Sequence, residues 1–272
     1  MLAVLLAGGP GTDLAPLTGE RPAGMVPVLD RPLMAHTEAL LRRQGVERIV
    51  AVVHHRPEAV RRWFGDSLEY RTVEHEVDAA AAARLCRDLI GDEPFLVLAG
   101  CELTDVDIAR LLATHRASGG ALTGCVKGGE RATIYAAQPE ALHSGWVPDA
   151  DHELTEYWRP VRSPHDLRLA AFELLEGRTS LPVEGERLAE GLILGEGSAL
   201  DGVAMIEPPV WIGHDVQIGE HTHLQGPLVI GDEATIGDGA QLRGCVILPG
   251  STVPREAVVV DGVLGLVDAW PE

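Results

Sequence analysis

Three glycines within four residues, Gly8, Gly9 and Gly11, follow directly on the apolar run Leu2 to Leu6, and Thr12 comes next. Glycine lets the main chain turn sharply and lets a ligand approach it closely, and peptide N–H groups presented in that way hold an anion without any charged side chain. The chemistry such a loop serves is phosphate binding, and the residues that would form it are Leu6, Ala7, Gly8, Gly9, Gly11 and Thr12. A glycine-rich turn after a strand is also an ordinary way to turn a corner, so these glycines alone do not fix its use.

The loop continues into a longer pattern. Gly9, Gly11, Thr12, Leu14, Pro16, Leu17, Thr18, Pro22, Met25, Pro27, Val28 and Pro32 match the opening of the sugar-1-phosphate nucleotidylyltransferases: G-x-G-T-R-L, then P-L-T, then P-K-x-M-x-P-V, then K-P. The chain resembles that family. The resemblance implies a Rossmann-like α/β domain whose loop wraps a nucleoside triphosphate. It also implies an arginine and a lysine that neutralise the phosphates as pyrophosphate leaves, but this chain has Asp13 and Ala23 at those positions. Nucleotidyl transfer depends on cations placed where negative charge develops. Asp13 reverses the local field and Ala23 removes a second charge.

Other positions of the family's site depart as well. The family's Mg²⁺-binding aspartate follows a strand and a glycine; here the strand Pro94 to Ala99 leads into Gly100, Cys101 and Glu102. A thiol is a soft donor and Mg²⁺ takes oxygen ligands. Glu102 is next along the chain and is expected to face away from Cys101, because consecutive strand residues point to opposite sides. Of the family's base-contacting E-x-P-L-G-T-A, Glu74 matches, but Glu76, Val77, Asp78, Ala79 and Ala80 follow, so no base recognition is expected there. Leu154 to Pro160 resembles E-x-x-E-K-P, which holds the sugar phosphate, and makes Glu156 and Arg159 the candidate sugar-phosphate residues. A surface arginine at a strand end reads equally well.

The elements that must position these residues alternate. After the loop, Asp30 and Pro32 start a helix that ends near Gly45; Ile49–Val53 is a strand, Pro57–Phe64 a helix and Leu68–Val73 a strand. Asp78 caps a helix from Ala79 to Ile90, and Pro94–Ala99 is a buried strand. Thr104 and Asp107 form an acidic capping box for a helix carrying Ile108, Leu111, Leu112 and His115, and Ala121–Val126 is a further strand. His115 reads as a histidine of the last helical turn, packed on the apolar stripe, where positive charge suits the helix dipole. This order predicts a mostly parallel sheet wrapped by helices, with the ligand at the carboxyl ends of the strands. Only Leu167 to Glu190 remain for the family's second half, so the lobe is shortened; Asp166, Glu173 and Glu176 there sit in no recognisable motif.

From Leu194 the chain falls into hexads headed by Leu194, Leu200, Ile206, Ile212, Ile218, Leu224, Ile230, Ile236, Leu242 and Leu248, with no insertion expected to break the register. Such hexads are the signature of a left-handed parallel β-helix, each forming one face of a triangular coil. His214, His221 and His223 occupy different hexad positions, none inward-pointing, and read as solvated. Pro249-Gly250-Ser251 with Val253-Pro254 resembles the closing coils of the same family's GDP-mannose pyrophosphorylase branch. The domains expected are 1–185, nucleotidyltransferase-like, and 186–272, β-helix.

Composition narrows the function classes. The 272 residues carry a net charge of −19, which argues against a nucleic-acid partner. Four separate cysteines form no C-x-x-C pair, so neither a disulfide framework nor a zinc site is expected. No run of about 18 apolar residues is present to span a membrane, and Met1 leads straight into the first strand, so a cytoplasmic protein is expected. No cofactor and no metal site are expected, since the position for the family's Mg²⁺ ligand is Cys101. The expected function is a catalytically impaired homologue that binds a nucleotide or nucleotide sugar and regulates an active relative, through homo- or hetero-oligomers built on the β-helix. The alternatives are an active nucleotidyltransferase using substitute residues and a hexapeptide-repeat acyltransferase.

Overall fold

A computed structural model describes residues 1–19, 21–200 and 205–265. Glu20 of the opening stretch, and residues 201–204 within one hexad, lie outside the described residues. The chain divides into two compact units: residues 1–26 with 32–160, and residues 27–31 with the described chain from Val161 onward.

The first unit is built on a seven-stranded sheet. Its elements in chain order are β1 (Leu2–Leu6), α1 (Leu33–Arg43), β2 (Arg48–Val53), α2 (Pro57–Phe64), β3 (Glu69–Thr72), α3 (Ala79–Leu85), β4 (Phe95–Ala99), β5 (Glu102–Thr104), α4 (Ile108–Ser118), β6 (Leu122–Lys127), β7 (Glu130–Ala137), β8 (Ala150–Glu153) and β9 (Trp158–Pro160). The sheet order is β8-β6-β7-β4-β1-β2-β3. β1 lies parallel between β2 and β4, and its residues Ala3, Val4 and Leu5 are fully buried, as a continuous apolar run in a two-sided sheet must be. The sheet is mixed, because β7 runs antiparallel to both β4 and β6. β7 returns from β6 through Gly128 and Gly129, whose φ angles of +57° and +85° suit glycine.

Three boundaries differ from expectation. α1 begins at Leu33 with Pro32 as its N-cap. α3 stops at Leu85 instead of Ile90: Cys86 is fully buried and its carbonyl accepts the N–H of Leu89, so the chain leaves the helix in tight turns. α4 is capped by Asp107, whose Oδ1 accepts the N–H of Arg110 at 3.0 Å; Thr104 instead accepts the N–H of Val106 while still in the strand.

The second unit contains helix α5 (Pro164–Leu175) and a series of short parallel strands in three sheets, as in a β-helix. One sheet stacks Leu192–Leu194, Val210–Ile212, Leu228–Ile230, Val246–Ile247 and Val263–Leu264; the others stack Met205–Glu207 to Val258–Val260 and Gln217–Ile218 to Thr252–Val253. Ile212, Leu224, Ile230, Ile236 and Leu242 fill the interior. Among the described residues the hexad register breaks twice, ahead of Val246–Ile247 and again ahead of Val263–Leu264. Ile230 pairs with Ile247, so Ile247 is the inward residue and Leu248 lies outside the interior cluster. Leu228 and Cys245 occupy matching interior places, and the coil lacks a counterpart of Pro227. Ser163 caps α5 by accepting the N–H of Asp166, whose carboxylate in turn accepts from Arg162 N–H and Ser163 Oγ. That reciprocal cap accounts for Asp166.

Candidate functional site

The parallel strands β1, β2 and β4 end on one side of the sheet, and a cleft of about 570 Å³ opens there. In a sheet of this kind ligands bind beyond the carboxyl ends of the strands. Leu6, Gly8 and Gly9 come from the end of β1, Val52 and His54 from β2, Ala99 and Cys101 from β4. The opposite wall is Glu76 to Ala80, Arg84, Thr133, Tyr135, Gly145 and Trp146.

The loop's shape follows from close approaches. A Cβ on Gly8 would lie 2.5 Å from the backbone nitrogen of His54, and the Gly8 carbonyl accepts the N–H of His55 at 3.2 Å. Gly11 has φ +58°, and a Cβ there would meet Ala23 Cβ at 2.7 Å. The Thr18 hydroxyl donates to the Gly11 carbonyl at 2.9 Å, and Ala23 N–H donates to Gly9 O. Ala23 is therefore buried behind the loop, and Asp13 is exposed in the 3₁₀ turn Thr12–Leu14. Neither lines the cleft, nor do Ala7, Gly11 and Thr12. Of the positions singled out in the sequence, Leu6, Gly8, Gly9 and Cys101 come together on its wall.

Glu156 and Arg159 are placed elsewhere. Glu156 ion-pairs with Arg110 of α4 at 3.2 Å, and its carbonyl accepts from Lys127 Nζ. Arg159 sits on β9, opposite Leu103 of β5. Glu102 is 5% exposed; its carboxylate accepts Thr133 N–H at 3.1 and 3.0 Å and the indole N–H of Trp158 at 2.7 Å. The donors around Cys101 do not fit a Mg²⁺ ion. The position offers a thiol, Asp78 is engaged as the α3 cap, and among the described residues no three His, Cys, Asp or Glu side chains are grouped to hold a metal.

The cleft's charge is set by residues the sequence reading discounted. Glu76 and Asp78 carry carboxylates, and Glu76 Oε1 lies 3.1 Å from where a Cβ on Gly9 would be. Among the described residues Arg84 is the one guanidinium of the lining; its Nε donates to Leu142 O at 3.1 Å and its Nη2 to Ser144 O at 3.0 Å. Tyr135 and Trp146 belong to β7 and the segment after it, a stretch to which the sequence pattern assigns no element. An aromatic residue in a strand carries no sign that it will face a cleft, so only the fold could reveal them.

The histidines are explained by packing. His115 is 1% exposed, with Nδ1 bonded to Thr123 Oγ1 at 2.9 Å, and burial lowers its pKa, so the positive charge expected for it is not supported. His214 Nδ1 accepts the N–H of Glu196, while His221 and His223 are exposed.

The nucleotidyl transferase family profile matches residues 2–135. The chain is 23% identical to a mannose-1-phosphate guanylyltransferase of Mycobacterium tuberculosis, over 82% of this chain and 78% of that one. It is 33% identical to a mannose-1-phosphate guanylyltransferase catalytic subunit beta of Dictyostelium discoideum, over 44% of this chain; the chain spans 36% of that relative's length. A Bacillus anthracis structure assigned as a glucose-1-phosphate thymidylyltransferase, in complex with a sucrose, superposes with a TM-score of 0.56 at 16% identity, covering 63% of this chain and 94% of that one. That likeness is one of fold.

Proposed function

Since its N-terminal domain belongs to the nucleotidyl transferase family, with sugar-1-phosphate nucleotidylyltransferases among its relatives, we propose that this protein is an impaired member that binds a nucleotide or nucleotide sugar and acts as a regulatory subunit. The observation that carries the reading is the cleft itself. The glycine loop and the strand ends keep its shape, while the positions of the family's arginine, lysine and metal-binding aspartate hold Asp13, Ala23 and Cys101. Losing one charge-stabilising donor typically costs about 10²–10³ in rate, and groups that act as a unit are lost together.

In this reading residues 1–185 bind the ligand and 186–272 assemble with another copy or a longer relative. The outer face of the Met205–Glu207 sheet supports the second part: Met205, Val258 and Val260 are exposed there, with Glu207 near one edge and Arg243 two strands away. Two copies meeting on that face could set opposite charges against each other.

A thermal-shift panel of nucleotides, nucleotide sugars and acetyl-coenzyme A tests the binding. A ligand at about 100 times its Kd adds roughly 2.7 kcal/mol, a melting shift of several degrees for a chain of this size. The expected response is to a nucleotide or nucleotide sugar and is the same with and without Mg²⁺. A response to the coenzyme alone, or to nothing at millimolar concentration, would overturn the reading.

A further inference from the structure

Resting on the nucleotide-binding reading above, we propose that the cleft grips the uncharged nucleoside part of its ligand, against Trp146 and Tyr135, and that the ligand's phosphates add no affinity. The charges of the wall come first. Glu76 stands over Gly9 at the edge where a phosphate would approach the loop, and Asp78 is fixed nearby by its bond to Ala81 N–H at 2.8 Å. Against these two carboxylates the lining offers Arg84, already bonded to two carbonyls, and the imidazole of His54, and among the described residues it contains no lysine. A phosphate entering there meets like charge, and its loop amides must offset that repulsion.

The rings provide the opposite. Trp146 lies 6.0 Å from Tyr135 in an edge-on arrangement and 6.4 Å from Phe95. Its placement costs stability twice over: a bulky residue holds φ +56°, and the buried indole N–H has no acceptor. Arg84 reinforces it, because the carbonyls it binds, Leu142 and Ser144, belong to the segment leading into Trp146, and Trp146 N–H donates to Ser144 Oγ. Burial raises the pKa of Tyr135, which keeps its phenol neutral. Stacking on such rings is indifferent to the ligand's charge and tolerant of base identity.

Calorimetric titration of the full chain with adenosine, guanosine, cytidine and uridine and their 5′-mono- and diphosphates tests this. The nucleoside that binds is expected to do so at least as tightly as its phosphates, and Trp146→Ala should weaken it about tenfold or more. Because that variant could disturb folding, Glu76→Gln serves as the second probe, and it should raise the affinity ratio of diphosphate to nucleoside by roughly tenfold. Affinity climbing tenfold with each phosphate, or unchanged in folded Trp146→Ala, would overturn the inference and leave nucleotide binding standing. No binding by any nucleoside or nucleotide would sink both.

Discussion

At the level of single residues, the loop keeps the glycines of the family pattern while Asp13 and Ala23 stand where that pattern has its arginine and lysine. Gly8 and Gly11 are required by contacts with His54 and Ala23, so their retention follows from packing. Gly8→Ala should cost about 1–3 kcal/mol in chemical denaturation, because the displaced atom is backbone and cannot swing aside. The same reasoning covers the buried histidines. His115 and His152 both have Nδ1 on a threonine hydroxyl and a buried Nε2 with no partner, and burial lowers both pKa values. Arg116 and Arg110 add to the lowering, opposed by Asp149 for His115 and by Glu156, Asp107 and Glu153 for His152. The unfolded chain therefore binds protons that the folded one refuses. Their contribution to stability is complete above about pH 6.5 and is lost as pH falls below it. Denaturation curves across that range should lose part of their slope in the His115→Gln, His152→Gln double variant; an unaltered slope would show that other groups set it.

At the level of elements, the sequence was most legible where period and caps agreed. α2 has the expected bounds, and the apolar runs of β1, β2 and β4 form the centre of the sheet. It was least legible where a long-range contact decides the outcome: Cys86 buried under the sheet ends α3 early, and β7 lies beyond the matched opening, in a stretch with no strand assigned. The β-helix was legible in kind but slipped by one residue at its fourth coil, since a coil one residue shorter still shows an aliphatic at the next sixth position, Leu248. This makes a clear prediction. Ile247→Ala should cost roughly 2–5 kcal/mol, as for a large interior side chain, and Leu248→Ala clearly less, by equilibrium unfolding. Equal costs would restore the unbroken hexad register.

For the whole molecule, a nucleotidyl transferase domain with Asp13, Ala23 and Cys101 at the family's arginine, lysine and aspartate positions is paired with a β-helix that exposes Met205, Val258 and Val260. Of the candidate site, the glycines could be found in the sequence because they match a pattern, and Cys101 because it follows Gly100 where that pattern has an aspartate, while Glu76, Arg84, Tyr135 and Trp146 are brought together only by folding. If assembly runs through the β-helix, light scattering should give a mass above 29.0 kDa that falls towards it in a Val258→Glu, Val260→Glu variant. A mass of one chain at all concentrations would count against that. The most direct measurement is pyrophosphate release by the purified protein, with sugar-1-phosphates, each of the nucleoside triphosphates and Mg²⁺. No release above background is predicted for any pairing, and release at the rates usual for enzymes, about 1–10³ per second, would contradict the account.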